Sequence, residues 1–122
     1  MDDFPKFMRN RLNRIATASQ HTEDIEGYVF DGADGSQVAF WTCHADRTSR
    51  EHRHDFDEYM VVLQGRCTLI IENERIPLSA GQEYCIPRGV TQVVEVVAGT
   101  RTLHVFGGQR ARREHEQMVR DV

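Results

Sequence analysis

Hydrophobic and polar positions alternate in short runs from residue 25 onward, and turns rich in glycine and polar residues separate the runs. Ile25 to Phe30 predicts a strand. Asp31-Gly32-Ala33-Asp34-Gly35 after it is turn chemistry, because glycine reaches positive φ without the clash a Cβ brings. Gln37 to His44 predicts the next strand, with Val38, Phe40 and Thr42 on one face and Ala39, Trp41 and Cys43 on the other. Glu58 to Leu63 runs into Gln64-Gly65, a hairpin signal, and then into Cys67 to Glu72. Asn73-Glu74 is a tight turn, Arg75 to Leu78 a short strand, and Ser79-Ala80-Gly81-Gln82 a further turn. Tyr84 to Ile86, Gln92 to Val97 and Thr102 to Phe106 complete the set. The last two are joined across Ala98-Gly99-Thr100 and are expected to pair. Short strands at this spacing predict an all-β sandwich or barrel.

The faces of these strands bear on assembly. Met60 and Val62 are expected to face the interior, which turns Tyr59, Val61 and Leu63 outward, yet these are apolar too. Val93, Val94, Val96 and Val97 repeat the pattern. A strand apolar on both sides is covered on both sides, here by the other sheet, the N-terminal segment or a second subunit. Phe4, Phe7, Met8, Leu12 and Ile15 approximate one helical face, interrupted by Pro5, Asn10 and Asn13, so this segment is either a short helix or an arm over the barrel. The tail from Gln109 to Val122 is highly charged and reads as a solvated or frayed helix.

Composition narrows the function classes. With 122 residues the chain is one domain over 1–122, with a barrel core at about 25–108. A formal net charge of −4 and a sequence pI near 5.8 give no basic field to collect nucleic acid. The basic residues near each end are interspersed with acids and read as solvated faces. No apolar run reaches the length of a membrane span, so a cytoplasmic protein that does not engage a membrane is expected. Cys43, Cys67 and Cys85 are odd in number and lack CxxC spacing, which points away from a disulfide framework or a thiolate zinc site. Cys85 is a candidate to line a cavity.

The chemistry concentrates in Glu51-His52-Arg53-His54-Asp55-Phe56-Asp57-Glu58. On a strand, histidines two apart share a face, and Glu58 has the same parity. Two neutral imidazoles and a carboxylate on one wall are the ligand set of a facial-triad metal site. Alone, so short a motif is more often a polar surface loop. A second stretch changes the balance: Gly81-Gln82-Glu83-Tyr84-Cys85-Ile86-Pro87-Arg88-Gly89-Val90-Thr91-Gln92. With His52, His54, Glu58 and Gly65 in the first stretch, and Gly81, Pro87 and Gly89 in the second, residues 36 to 108 resemble the paired signatures of the cupin superfamily. Two positions depart from that pattern. Asp46 stands where a glycine often opens the first signature, and Gln92 stands where a histidine usually completes the metal site.

The resemblance implies a jelly-roll barrel, with a short N-terminal arm and a charged C-terminal tail. It also implies a divalent metal at His52, His54, Glu58 and Gln92, with Fe(II) or Mn favoured and Zn or Ni admitted. Gln92 either ligates through its amide oxygen, or hydrogen-bonds a bound water or substrate, or marks a site that works without metal. Phe40, Met60, Val62 and Tyr84 are the expected pocket walls. His104 points inward toward the site in one register and outward in the other. His44 is expected at the pocket edge or surface, and His21 and His115 in ordinary exposed positions. Small cupins commonly form homodimers, which is the expected assembly. The leading expectation is a metal-dependent oxygenase or isomerase acting on a small polar organic molecule; the rival is a non-catalytic sensor or accessory module that binds a small ligand or metal. Neither fold nor motif names the substrate.

Overall fold

Residues 3–115 are described in a computed structural model. Their strands are β1 (Ile25–Asp31), β2 (Gln37–Cys43), β3 (Arg47–Thr48), β4 (Glu58–Gln64), β5 (Arg66–Ile71), β6 (Glu74–Ser79), β7 (Glu83–Ile86), β8 (Gln92–Val96) and β9 (Arg101–Phe106). One antiparallel sheet runs in the order β1-β2-β9-β4-β7 and the other in the order β3-β8-β5-β6. Packed face to face, they form a jelly roll. Among the described residues no helix is long and apolar enough to cross a membrane.

Register decides what faces inward. Trp41 lies opposite Thr102 and Ala39 opposite His104, while His104 and Phe106 lie opposite Met60 and Glu58. Cross-strand partners share a face, so these side chains form one inner surface. On the other sheet Gln92, Val94 and Val96 oppose Ile71, Leu69 and Cys67. Two buried clusters result. One joins Met60, Val62, Cys67, Leu69, Leu78 and Ile86 at one end of the barrel. The other joins Ile15, Val29, Ala39, Trp41, Phe106 and Ala111.

Two sequence expectations need correcting. β9 does not pair with β8: it lies between β2 and β4, while β8 pairs with β5 and β3. The chain crosses from one sheet to the other over residues 97–100, and the crossing is pinned at Thr100. The Thr100 hydroxyl donates to the Arg66 carbonyl at 3.0 Å and accepts from the Arg66 amide at 3.2 Å. Gly65 permits this contact, because its φ is +79° and a Cβ there would lie 2.5 Å from Thr100 Oγ1. His104 faces inward all the same, with Met60 and Ala39 as its cross-strand partners.

Of the two alternatives for the N-terminus the structure takes the arm: three 3-10 turns at Lys6–Met8, Arg11–Asn13 and Thr17–Ser19 stand in place of a helix. The Asn10 side chain accepts from the Leu12 amide, a local bond that competes with helix propagation. The apolar residues therefore split: Phe4 and Ile15 are 5% and 2% exposed, Phe7 and Leu12 81% and 58%. Phe4 packs on Phe40 with ring centroids 4.6 Å apart, so the segment is an arm over the outer face of the sheet. The second correction concerns the tail. Its first residues are anchored by Gln37, whose Oε1 accepts from the Arg110 and Ala111 amides at 2.7 and 2.8 Å. Residues 116–122 of the expected tail helix lie outside the described residues.

Candidate metal centre

Backbone pairing brings the stretch bearing His52 and His54 together with the stretch that ends at Gln92. His52 donates to the Gln92 carbonyl at 3.0 Å and accepts from the Gln92 amide at 2.8 Å, and the Gly89 amide reaches the His54 carbonyl at 2.8 Å. The His52 and His54 rings, 5.3 Å apart between centroids, stand side by side at the barrel mouth. His52 Nδ1 lies 2.9 Å from the Arg50 carbonyl. A carbonyl only accepts, so Nδ1 carries the proton and Nε2 keeps its lone pair for another partner.

The third imidazole comes from outside both stretches. His21, on the segment leading into β1, stacks on His52 at 4.1 Å with an interplanar angle of 17°. Ligand atoms of His21, His52 and His54 all lie within 4.8 Å of one another. Burial pushes the His21 pKa down to about 3, with help from the Arg110 guanidinium, His52, Arg50 and His54. Burial also lowers His52, against the opposing pull of its bond to the Arg50 carbonyl. Both rings are therefore neutral at neutral pH, the form in which imidazole binds a metal. Donors held at about 2.0–2.1 Å from one ion can be at most about 4.2 Å apart, so binding requires a modest inward turn of the rings.

Glu58 stands beside this group as a hub. It is 5% exposed. Its Oε2 accepts from His104 Nδ1 at 2.8 Å, and its Oε1 lies 3.3 Å from the Gln92 amide nitrogen and 3.4 Å from His54 Nε2. Burial pushes the carboxyl up, but the hydrogen bonds and charge of His104 and His54 outweigh it and hold Glu58 well below the usual carboxylate range. An ionised carboxylate only accepts, so Gln92 must present its NH2 to it. Gln92 is 2% exposed, and its amide nitrogen is directed at Glu58.

A cavity of about 70 Å³ opens at these residues, with Met60, Gln92 and His104 in its walls alongside Trp41, Phe106 and Arg110. The other expected walls lie elsewhere. Phe40 has the opposite parity to Trp41 and packs outside the barrel against Phe4 and Tyr28. Val62 sits in the closed apolar end, and Tyr84, on an edge strand, packs against the same cluster. Cys85 is exposed, whereas Cys43 and Cys67 are buried and line the cavity. Burial raises those two thiols to about 12 and about 11, so neither is a thiolate at neutral pH. His44 is a surface residue beside Glu26, and His115 is exposed.

His21 and Arg110 had no periodic signal to mark them. Both lie on irregular segments flanking the barrel, and their convergence depends on how those segments fold back over its mouth.

The family model for the cupin domain matches residues 39–106, more than half of the chain. This chain belongs to the cupin family. Solved structures agree on the cupin fold. The polyketide cyclase RemF from Streptomyces resistomycificus is 17% identical with a TM-score of 0.69, over 92% of this chain and 86% of that one. An RmlC-like cupin from Shewanella frigidimarina NCIMB 400 is 10% identical with a TM-score of 0.66, over 88% and 89%. KdgF from Halomonas sp. is 15% identical with a TM-score of 0.62, over 84% and 96%. Among curated proteins, Endoribonuclease YbeY of Myxococcus xanthus (strain DK1622) is 31% identical over 67 residues, 55% of this chain. The match spans only 23% of that protein's length.

Proposed function

We propose that this cupin binds one divalent metal ion through His21, His52 and His54, and that it is an enzyme of oxygenase or isomerase type acting on a small polar organic molecule. The observation that carries the reading is the convergence of three imidazoles, at least two held neutral, on the wall of a cavity. Three imidazoles suit Fe(II), Ni or Zn better than Mn. Three protein ligands with positions left open is the pattern of catalytic metal sites, structural sites being closed by four. When bound, the ion supplies a Lewis-acidic centre that polarises an oxygen of the substrate. The chain's own residues do the rest. Glu58, expected as a ligand itself, orients His54 and His104, and Gln92 fixes the carboxylate from the opposite sheet. Trp41 and Phe106 exclude water from one side of the cavity.

Elemental analysis of protein purified without chelator or nickel-affinity steps tests this. The expected result is near-stoichiometric metal in the wild type, its loss in His52→Ala, and a weakening of about 10–100-fold in Glu58→Ala, as for removal of an outer-shell partner. Equal trace metal in all three proteins would leave the non-catalytic ligand-binding role in its place. The ribonuclease activity named for the Myxococcus protein is not carried over, since an acidic chain is a poor partner for a phosphate backbone. Free cysteines fit a cytoplasmic location.

We also infer a homodimer. Phe30, Val38, Val105 and Tyr59 form a continuous cross-strand row on the outer face of the five-stranded sheet. Phe30, Val38 and Val105 are 39%, 38% and 37% exposed, and a second copy would cover them. Sedimentation equilibrium should give twice the chain mass, and Val38→Glu with Val105→Glu should halve it. A wild-type monomer at micromolar concentration would contradict the inference.

A further inference from the structure

Arg110 is a half-buried cation in the cavity wall, and no carboxylate among the described residues pairs with it. Its guanidinium lies over Trp41 at 5.6 Å and Phe106 at 5.9 Å, which sets it against the cavity wall. Its side-chain hydrogen bond runs from Nη1 to the Ser19 carbonyl. None of the ion pairs among the described residues includes it. Guanidinium carries five N–H donors, so most of this fork has no protein acceptor. Among the described residues no buried side-chain nitrogen or oxygen lacks a partner, so the unspent donors of this fork are accessible and open to an anion that enters the cavity.

The cavity's own carboxylate does not serve. Glu58 is already engaged by His54, His104 and Gln92. Although it attracts Arg110 through space, the two form no ion pair. Burial lowers the guanidinium only to about 10, so it stays charged at neutral pH. Its backbone amide is clamped by Gln37 at 2.7 Å, and Gln37 is 1% exposed. The fold therefore anchors the Arg110 backbone, and the Ser19 carbonyl with the two rings holds the side chain toward the cavity.

We infer that Arg110 recognises the carboxylate of a small organic acid in this cavity, which names the substrate class of the site and rests on the enzyme reading above. Planar, bidentate donation is what guanidinium offers a carboxylate. The flat walls supplied by Trp41 and Phe106 suit a planar body behind that carboxylate. The volume of about 70 Å³ admits several water-sized groups, which restricts the acid to a small one. A divalent ion at the three imidazoles would add positive charge to the same cavity and favour an anionic ligand further.

Trp41 is the single tryptophan of the chain and touches the proposed subsite, so its fluorescence reports occupancy. Titrations with benzoate and pyruvate, each against its uncharged amide, are run on protein as purified and after EDTA treatment. At least one acid should bind about tenfold or more tighter than its amide, the scale of a charge-assisted hydrogen bond. Arg110→Gln should abolish that preference with metal content unchanged. Arg110→Lys, which keeps the charge without the fork, should weaken the acid severalfold and covers the case in which the glutamine variant fails to fold. Acids binding no tighter than their amides, a preference intact in Arg110→Gln, or wild-type acid affinity in Arg110→Lys would overturn the assignment. Acid preference in a protein that never holds metal would keep Arg110 in this role and remove the metal reading instead.

Discussion

Replacing His21 with alanine is expected to strip metal as completely as replacing His52 or His54, with affinity falling by more than about 100-fold, beyond the range for an outer-shell partner. The ring is stacked on His52 at 4.1 Å and belongs to the one group of three donors within 4.8 Å found among the described residues. It lies outside both signature stretches, so a centre built from His52, His54, Glu58 and Gln92 alone would not notice its loss. Competition against a chromophoric chelator measures the change. The segment carrying His21 is anchored through Ile15, which is 2% exposed, so the variant should keep its fold and circular dichroism should match the wild type. Unchanged metal affinity would return the third ligand position to Glu58.

Phe106→Ala should be the most damaging single substitution in the barrel, costing about 3–5 kcal/mol of stability. The side chain is 1% exposed. It meets Trp41 edge-on at 6.2 Å, lies parallel to His104 at 5.8 Å and abuts the His54 ring at 5.8 Å. Truncation would thus open a cavity and also loosen the two histidines that hold Glu58. Urea unfolding followed by Trp41 fluorescence reads the loss as a lower midpoint. Phe7→Ala is the control. Phe7 is 81% exposed, and its removal should stay within about 0.5 kcal/mol. A cost below about 1.5 kcal/mol for Phe106→Ala would mean that the barrel wall is not packed as described.

The strands and the division of each into two faces were legible in the sequence because both are local; which strands are neighbours is not local, and β9 lies between β2 and β4 instead of beside β8. Alternation along β2 and β4 separates Trp41 from Phe40, and Met60 and Glu58 from Tyr59, before any pairing is known. The short strand β3 escaped notice, since Arg47-Thr48 offers two polar residues and no period. Alternation separates Phe40 from Trp41, but parity divides the faces without saying which is inner, and the structure packs Phe40 on the outer side. An aromatic residue on the outer face reads like a core residue whenever an arm such as Phe4 covers it.

The His52 and His54 part of the site was legible for the same reason: two residues apart on an extended chain, they must share a face. Gln92 was placed beside them by the second stretch, and the bridge between residues 52 and 92 accounts for that. His21 and Arg110 were not legible. One precedes the barrel and the other follows it, and no periodic pattern ties residue 21 to residue 110. Their meeting depends on the buried Gln37 clamp and the Arg110 bond to Ser19, both contacts of long sequence separation. A charged tail carries the same composition whether it is solvated or folded over a mouth.

X-ray absorption spectroscopy of the metal-loaded protein counts imidazoles directly. Three are predicted in the wild type and two in His21→Ala, with first-shell scattering otherwise made up by light oxygen donors. Two imidazoles in both proteins, with a carboxylate oxygen lost only in Glu58→Ala, would contradict the three-histidine centre.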